Sequence, residues 1–299
     1  MEFIKYLNVA VETGHPLFFL FSSSLFIATI DSLSYFIHPV CESLKLPVSS
    51  PMSVSSCCLQ GFEWEGIPKG QNGKLVNNDS YITGENPNNA ILIIHDILGW
   101  EFPNIRLLAD HYAREANAVV YVPDFFGGDS LPSGPILSGK WNELDVDGFM
   151  SRNTRQIREF EILECAKALR EQHQKVAAVG FCYGGWAVFR LGAKDHADVP
   201  LVDCIVAGHP TFLTKEDIDN VAVPVQLLAP EHDPMFTFDL KLYSFETLQK
   251  VGVPFDYQHF PGVQHGSLVR GDKNQPGERE AMVRAKNAAI SWIKMSFVA

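Results

Sequence analysis

Residues 175–185 read KVAAVGFCYGG: a short apolar run leading into three glycines set around a single cysteine. Lys175–Val179 has the composition of a strand buried on both faces, and Trp186–Leu191 resumes as a helix. Gly180-x-Cys182-x-Gly184 therefore falls between strand and helix, the context a nucleophile elbow requires. The central residue of such a turn holds a strained backbone conformation, so its flanks must lack a bulky Cβ. Gly180 and Gly184 supply that room, and Gly185 lets the helix pack closely. The turn lifts the thiol above the sheet at a helix N-terminus, whose dipole favours a thiolate. The Tyr183 N–H is placed to donate to an oxyanion. The competing reading is a buried structural cysteine in a glycine-rich turn.

Outward from the elbow, β-rich apolar runs alternate with longer helical stretches. This is the pattern of an α/β fold with a mostly parallel central sheet and helices on both faces. Ala90–Ile94 (AILII) and Ala118–Val122 (AVVYV) read as buried strands, with a helix opened by Pro103 between them. The polar, Gly- and Pro-containing stretch 127–148 reads as a cap or pocket rim. Helices are expected over Thr154–Gln172, Leu240–Val251 and Gly277–Met295. Further strands are expected over Leu201–Ala207, Val223–Leu228 and Phe255–Phe260.

An elbow nucleophile in such a sheet is followed in sequence by its acid and then its His, each on a loop after a strand. Among the ten histidines, only His265 follows the last expected strand and precedes the final helix, in PGVQHG. His95, His209, His232 and His259 also lie near strand ends, and His209 reads as a pocket-wall or structural residue. Asp233, in LLAPEHD, falls in the loop after a buried strand, with Glu231 as its rival. The acid would hold the His tautomer and stabilise the imidazolium that forms. A second oxyanion donor belongs on the loop after an early strand, where Ile97 of HDILGW offers its N–H.

The chain has 299 residues, about half of them apolar, and a net charge of −11 from 24 basic and 35 acidic residues. That balance argues against nucleic acid as a partner and leaves a small-molecule substrate, even an anionic one, open, since one buried Arg can receive a carboxylate. The six cysteines form no Cys-x-x-Cys pair and no zinc-like cluster, which suits reduced thiols and a cytoplasmic setting without a metal. Residues 1–51 read differently from the rest. Leu17–Ile30 is an uncharged apolar run too short for a membrane span, so membrane association is open only through residues 17–30. Met52 reads as the natural start of the catalytic domain, residues 52–299, with 1–51 an N-terminal extension of the gene model.

The Cys-centred elbow, the Asp96-Ile97-Leu98-Gly99 loop and the Pro-Gly-x-x-His-Gly segment together resemble the dienelactone hydrolase (carboxymethylenebutenolidase-like) family, in its fungal branch. The resemblance spans about residues 55–297. It implies the α/β-hydrolase fold, no cofactor, and a catalytic triad of Cys182, Asp233 and His265. Bacterial members carry a Glu in the first βα loop that pairs with an Arg near the His. Asp96 stands at that position, one methylene shorter, and Arg270, five residues after the His instead of four, resembles the Arg. For a second, substrate-carboxylate Arg the stand-ins are Arg152 and Arg155. The resemblance thus implies substrate-binding roles for Asp96 and Arg270.

The expected activity is hydrolysis of a small ester, lactone or thioester through a thioester acyl-enzyme, with a place in fungal secondary metabolism. Two alternatives stand beside it: a biosynthetic cyclase, isomerase or acyltransferase on the same fold, and a non-catalytic small-molecule binding protein.

Overall fold

A computed structural model describes residues 18–21, 24–27, 64–137, 140–271 and 275–298. The chain divides into two compact units, Met1–Ser53 and Val54–Ala299. In the first, β1 (Phe18–Phe21) and β2 (Ser24–Ile27) pair antiparallel, Phe18 opposite Ile27. The apolar run Leu17–Ile30 therefore contains two paired strands, and the rest of residues 1–51 lie outside the described residues. Among the described residues no helix is long and apolar enough to cross a membrane.

The second unit is built on an eight-stranded sheet. Its strands are β3 (Gln71–Leu75), β4 (Asn78–Thr83), β5 (Asn89–Ile94), β6 (Val119–Pro123), β7 (Lys175–Phe181), β8 (Cys204–Gly208), β9 (Val225–His232) and β10 (Phe255–Gln264). They lie in the order β10-β9-β8-β7-β5-β6-β4-β3. The six strands from β5 to β10 run parallel, and the β3–β4 hairpin adds the antiparallel edge through β6. Ala90 to Ile94 and Val176 to Val179 are wholly buried, as strands covered by helices on both faces must be.

The principal helices are α1 (Pro103–Ala116), α2 (Ser133–Leu137), α3 (Val146–Arg152), α4 (Arg155–Gln172), α5 (Gly184–Leu191), α6 (Lys215–Asp219), α7 (Phe238–Val251), α8 (Ser267–Arg270) and α9 (Glu278–Val298). Pro103 starts α1, and Asn117 closes it in the left-handed conformation at φ 51°, a position Asn tolerates. Thr214 caps α6 with a full capping box to Asp217, and Thr237 caps α7 through the Leu240 N–H.

The expected elements are present, with shifted ends. The strand expected from Leu201 begins at Cys204, and the one expected to stop at Phe260 continues to Gln264 through an irregularity after Phe260. The β3–β4 hairpin has no counterpart among the expected strands, because its polar residues (QNGKL, NDSYIT) lack the alternation that marks a strand. The stretch 127–148, read as a cap, holds α2 and a single 3-10 turn at Trp141–Glu143 and runs into α3.

The strand order places the site. The connections after β5 and β7 leave the sheet on opposite sides of a reversal in strand order, since β6 lies beyond β5 and β8 beyond β7. In open parallel sheets this switch point, at the carboxyl ends of the strands, leaves a crevice for a ligand.

Candidate active site

Cys182 sits at the end of β7 with φ 49°, a left-handed conformation that L-residues other than Gly adopt only when the surroundings impose it. Two glycines make the turn possible. A Cβ on Gly180 would lie 2.1 Å from the Gly184 carbonyl oxygen, and one on Gly184 would lie 2.1 Å from that of Ile94. The second approach brings the elbow against the end of β5, from which the Asp96–Gly99 loop departs. The Cys182 N–H donates to the Gly208 carbonyl at 3.1 Å and fixes the turn to β8 as well.

His265 follows β10, and its backbone N–H donates to the His232 carbonyl at 3.0 Å. Its side chain is buried, and Nδ1 lies 2.8 Å from Oδ1 of Asp233. The same Oδ1 accepts from the N–H groups of Met235 and Phe236, each at 2.9 Å. Burial works to raise the Asp233 carboxyl, yet the charge and hydrogen bond of His265 and those two N–H groups hold it below its ordinary value. Burial likewise works against a charged His265. The charges of Cys182 and Asp233, with the Asp233 hydrogen bond, overcome it and hold the imidazole at about 10. The arrangement favours a charged imidazole near the sulfur, oriented by a carboxylate.

Beside the sulfur lies a second buried pair. Arg270 Nε is 2.8 Å from Asp96 Oδ2, with both side chains shut off from solvent. Burial raises the Asp96 carboxyl, Arg270 opposes that, and the charge of Cys182 adds to it, which locates the carboxylate near the sulfur. Asp96 also accepts the Leu98 N–H at 2.9 Å and shapes the loop that presents Ile97. Among the described residues, neither the Ile97 nor the Tyr183 N–H is used in a turn or loop hydrogen bond. The Ile97 carbonyl accepts from Leu131 N–H at 2.9 Å and so ties stretch 127–148 to this loop.

The structure brings Cys182, His265, Asp233, Asp96 and Arg270 together and separates their rivals. Glu231 is exposed and accepts the Gly262 N–H at 2.7 Å. His95 is buried between the Asp96 carbonyl and the Phe125 N–H, and burial lowers it to about 4. The His209 ring packs edge-on against His265, centroids 4.8 Å apart, and burial keeps it neutral. Arg152 is taken by Asp129 and Asp145. Arg155 is taken by Asp217 and the Phe212 carbonyl. One contact had no motif to reveal it: Thr211 Oγ1 lies 3.4 Å from Cys182 Sγ. Its only sequence signal is its place in the loop after β8, next to the elbow strand.

This fold is that of an α/β-hydrolase. The dienelactone hydrolase family model matches residues 79–297, and the chain belongs to that family as a hydrolase of the ester and lactone type. It is 31% identical to Hydrolase tropI of Talaromyces stipitatus over 79% of this chain and 94% of that one. It is 28% identical to the carboxymethylenebutenolidase homolog of Homo sapiens, covering 78% and 92% of the two. The solved dienelactone hydrolase from Anabaena variabilis shares the fold, with a TM-score of 0.53 at 13% identity over 75% of this chain and 95% of that one.

Proposed function

We propose that Cys182, His265 and Asp233 form a catalytic triad that hydrolyses a small ester, lactone or thioester through a thioester acyl-enzyme. The observation carrying this reading is the sulfur at a strained elbow acting on an imidazole whose far nitrogen is held 2.8 Å from Asp233.

The thiolate attacks the substrate carbonyl carbon, an S–C bond forms, and the carbonyl π pair moves onto oxygen. The Ile97 and Tyr183 N–H groups receive that oxyanion; loss of one such donor typically costs about 3–4 kcal/mol. As the intermediate collapses, the C–O or C–S bond to the leaving group breaks and His265 gives it a proton. The sulfur of the acyl-enzyme is neutral, so the strongest influence raising His265 is gone. The ring can then take a proton from water, which attacks the thioester and releases the acid. Asp96 and Arg270, paired with each other and buried beside the sulfur, fix the loop that offers the Ile97 N–H to the substrate. The catalytic domain is residues 52–299, with 1–51 an extension of it through which any membrane association would run, and the setting is fungal secondary metabolism in the cytoplasm.

The test is a panel of p-nitrophenyl esters, lactones and acyl-thioesters turned over in isotopically labelled water. Wild type should incorporate the label into the acid product. Cys182→Ala should lose about a thousandfold or more in kcat while its circular dichroism stays native. An active Cys182→Ala enzyme, or product free of label, overturns the reading.

A further inference from the structure

The loop after β8 folds back on the elbow and is locked to it along the backbone. Cys182 N–H donates to Gly208 at one end of this contact, and Thr211 N–H donates to the Cys182 carbonyl at 2.8 Å at the other. Between them, a Cβ on Gly185 would lie 2.4 Å from Pro210 Cβ. The loop holds this path at the expense of two left-handed residues, His209 at φ 38° and Phe212 at φ 58°. What it delivers is the Thr211 side chain, 3% exposed, with Oγ1 at 3.4 Å from the nucleophilic sulfur. Among the described residues the hydroxyl has no other hydrogen-bond partner.

We propose that Thr211 is a further catalytic residue, its hydroxyl donating to the Cys182 sulfur and holding it as the resting thiolate. This rests on the reading of Cys182 as nucleophile. A thiolate can only accept, so the O–H of Thr211 must be the donor, and a bond to an ionised partner is among the stronger hydrogen bonds. When the S–C bond forms, the sulfur electron pair passes to carbon and the sulfur becomes a poor acceptor. No proton leaves Thr211. When water has attacked and the S–C bond breaks, the pair returns to sulfur and the hydroxyl stabilises it as leaving group. Thr211 therefore favours the thiolate over the thiol before the reaction and again as the acyl group departs.

Other charged groups also face the sulfur: His265 from the β10 loop, oriented by Asp233 at the end of β9, and Asp96 from the β5 loop, paired to Arg270 on α8. His209 faces His265 from the β8 loop itself. All stay in place when only Thr211 is changed.

The test reads thiolate ultraviolet absorbance against pH in the full chain, as the difference between each protein and its Cys182→Ser counterpart. Burial pushes the Cys165 and Cys204 thiols up to about 12, and the subtraction removes every cysteine other than Cys182. In Thr211→Val and Thr211→Ala the midpoint for thiolate formation should rise by about one to two pH units, the shift expected for losing a hydrogen bond to a charged group. Thr211→Ser, which keeps the hydroxyl, should titrate as wild type does. An unchanged midpoint in whichever of the Val and Ala variants folds overturns the role of Thr211, as does a Ser variant that shifts as far as they do. Wild type without thiolate at neutral pH overturns this inference alone, whereas the nucleophile reading falls only with an active Cys182→Ala enzyme.

Discussion

Arg270 Nε lies 2.8 Å from Asp96 Oδ2, in an ion pair both of whose members are buried, one from the loop after β5 and the other from α8. The pair fastens the loop carrying Ile97 to the segment carrying His265. Asn104 of α1 adds a bond to the Val269 carbonyl at 3.0 Å on the same segment. Removing one member strands the other charge in a region without water. Arg270→Met should therefore cost about 3–5 kcal/mol in urea denaturation, whereas the double variant Asp96→Leu/Arg270→Met should recover most of that loss. A single variant as stable as wild type would mean that the pair is not buried in solution.

The elbow conformation can be weighed separately from the thiol. At φ 49° a Cβ costs roughly 1–2 kcal/mol, and glycine escapes that cost. Comparing Cys182→Gly with Cys182→Ala removes the sulfur from both sides of the comparison. The Gly variant should be the more stable by about 1 kcal/mol, less whatever it gains in unfolded-chain freedom. Both should be inactive. The opposite order of denaturation midpoints would show that the turn relaxes once the thiol is gone.

The elbow, the His and the Asp were legible because each is tied to a local pattern: glycines where a Cβ cannot fit, an acid in the loop after a buried strand, and a His between the last expected strand and the final helix. The β3–β4 hairpin was not, because its residues pair along a sheet edge with little apolar signal of their own. Thr211 was invisible for a different reason. Its contact with Cys182 exists only because β8 lies next to β7, and strand adjacency is a property of the assembled sheet. The pairing of Asp96 with Arg270 could be anticipated only through resemblance, since nothing in the spacing of two residues so far apart requires it. The choice between Asp233 and Glu231 turned on depth in the loop, and the structure places Asp233 against the ring and Glu231 on Gly262.

His265 should report the charge on the sulfur. Its ordinary value is 6.5 and it is held at about 10, against burial, by Cys182 and Asp233. A group raised on folding stabilises the native state fully below its unfolded value, and that stabilisation is lost as pH climbs to the folded one. The His265 contribution is thus complete below about 6.5 and vanishes between there and about 10. Asp233 runs the other way. Held below 3.8, its contribution is present above that value and disappears as pH falls through its lower folded midpoint. In Cys182→Ser the thiolate is absent, so the imidazole midpoint followed by nuclear magnetic resonance should fall from about 10. The upper edge of the stability profile should move down with it. An imidazole that titrates identically in both proteins would break the link between sulfur and ring.

Gly184 illustrates how strongly the site depends on close backbone approach. It is the first residue of α5, where alanine would ordinarily favour the helix by about 1 kcal/mol. A Cβ there would stand 2.1 Å from the Ile94 carbonyl oxygen, a backbone atom of the central strand β5. The strand cannot yield without disturbing its ladders to β6 and β7, so the sign of the substitution reverses. Gly184→Ala should lose well over about 3 kcal/mol, beyond the usual cost of overpacking, or fail to accumulate as folded protein. Gly127 is the control: at φ 63°, a Cβ added to it would meet nothing within 4 Å, so Gly127→Ala should cost only about 1 kcal/mol of backbone strain. Thermal melts of the two variants side by side make the comparison. Equal costs would show that the elbow and the β5 end are farther apart than these positions require.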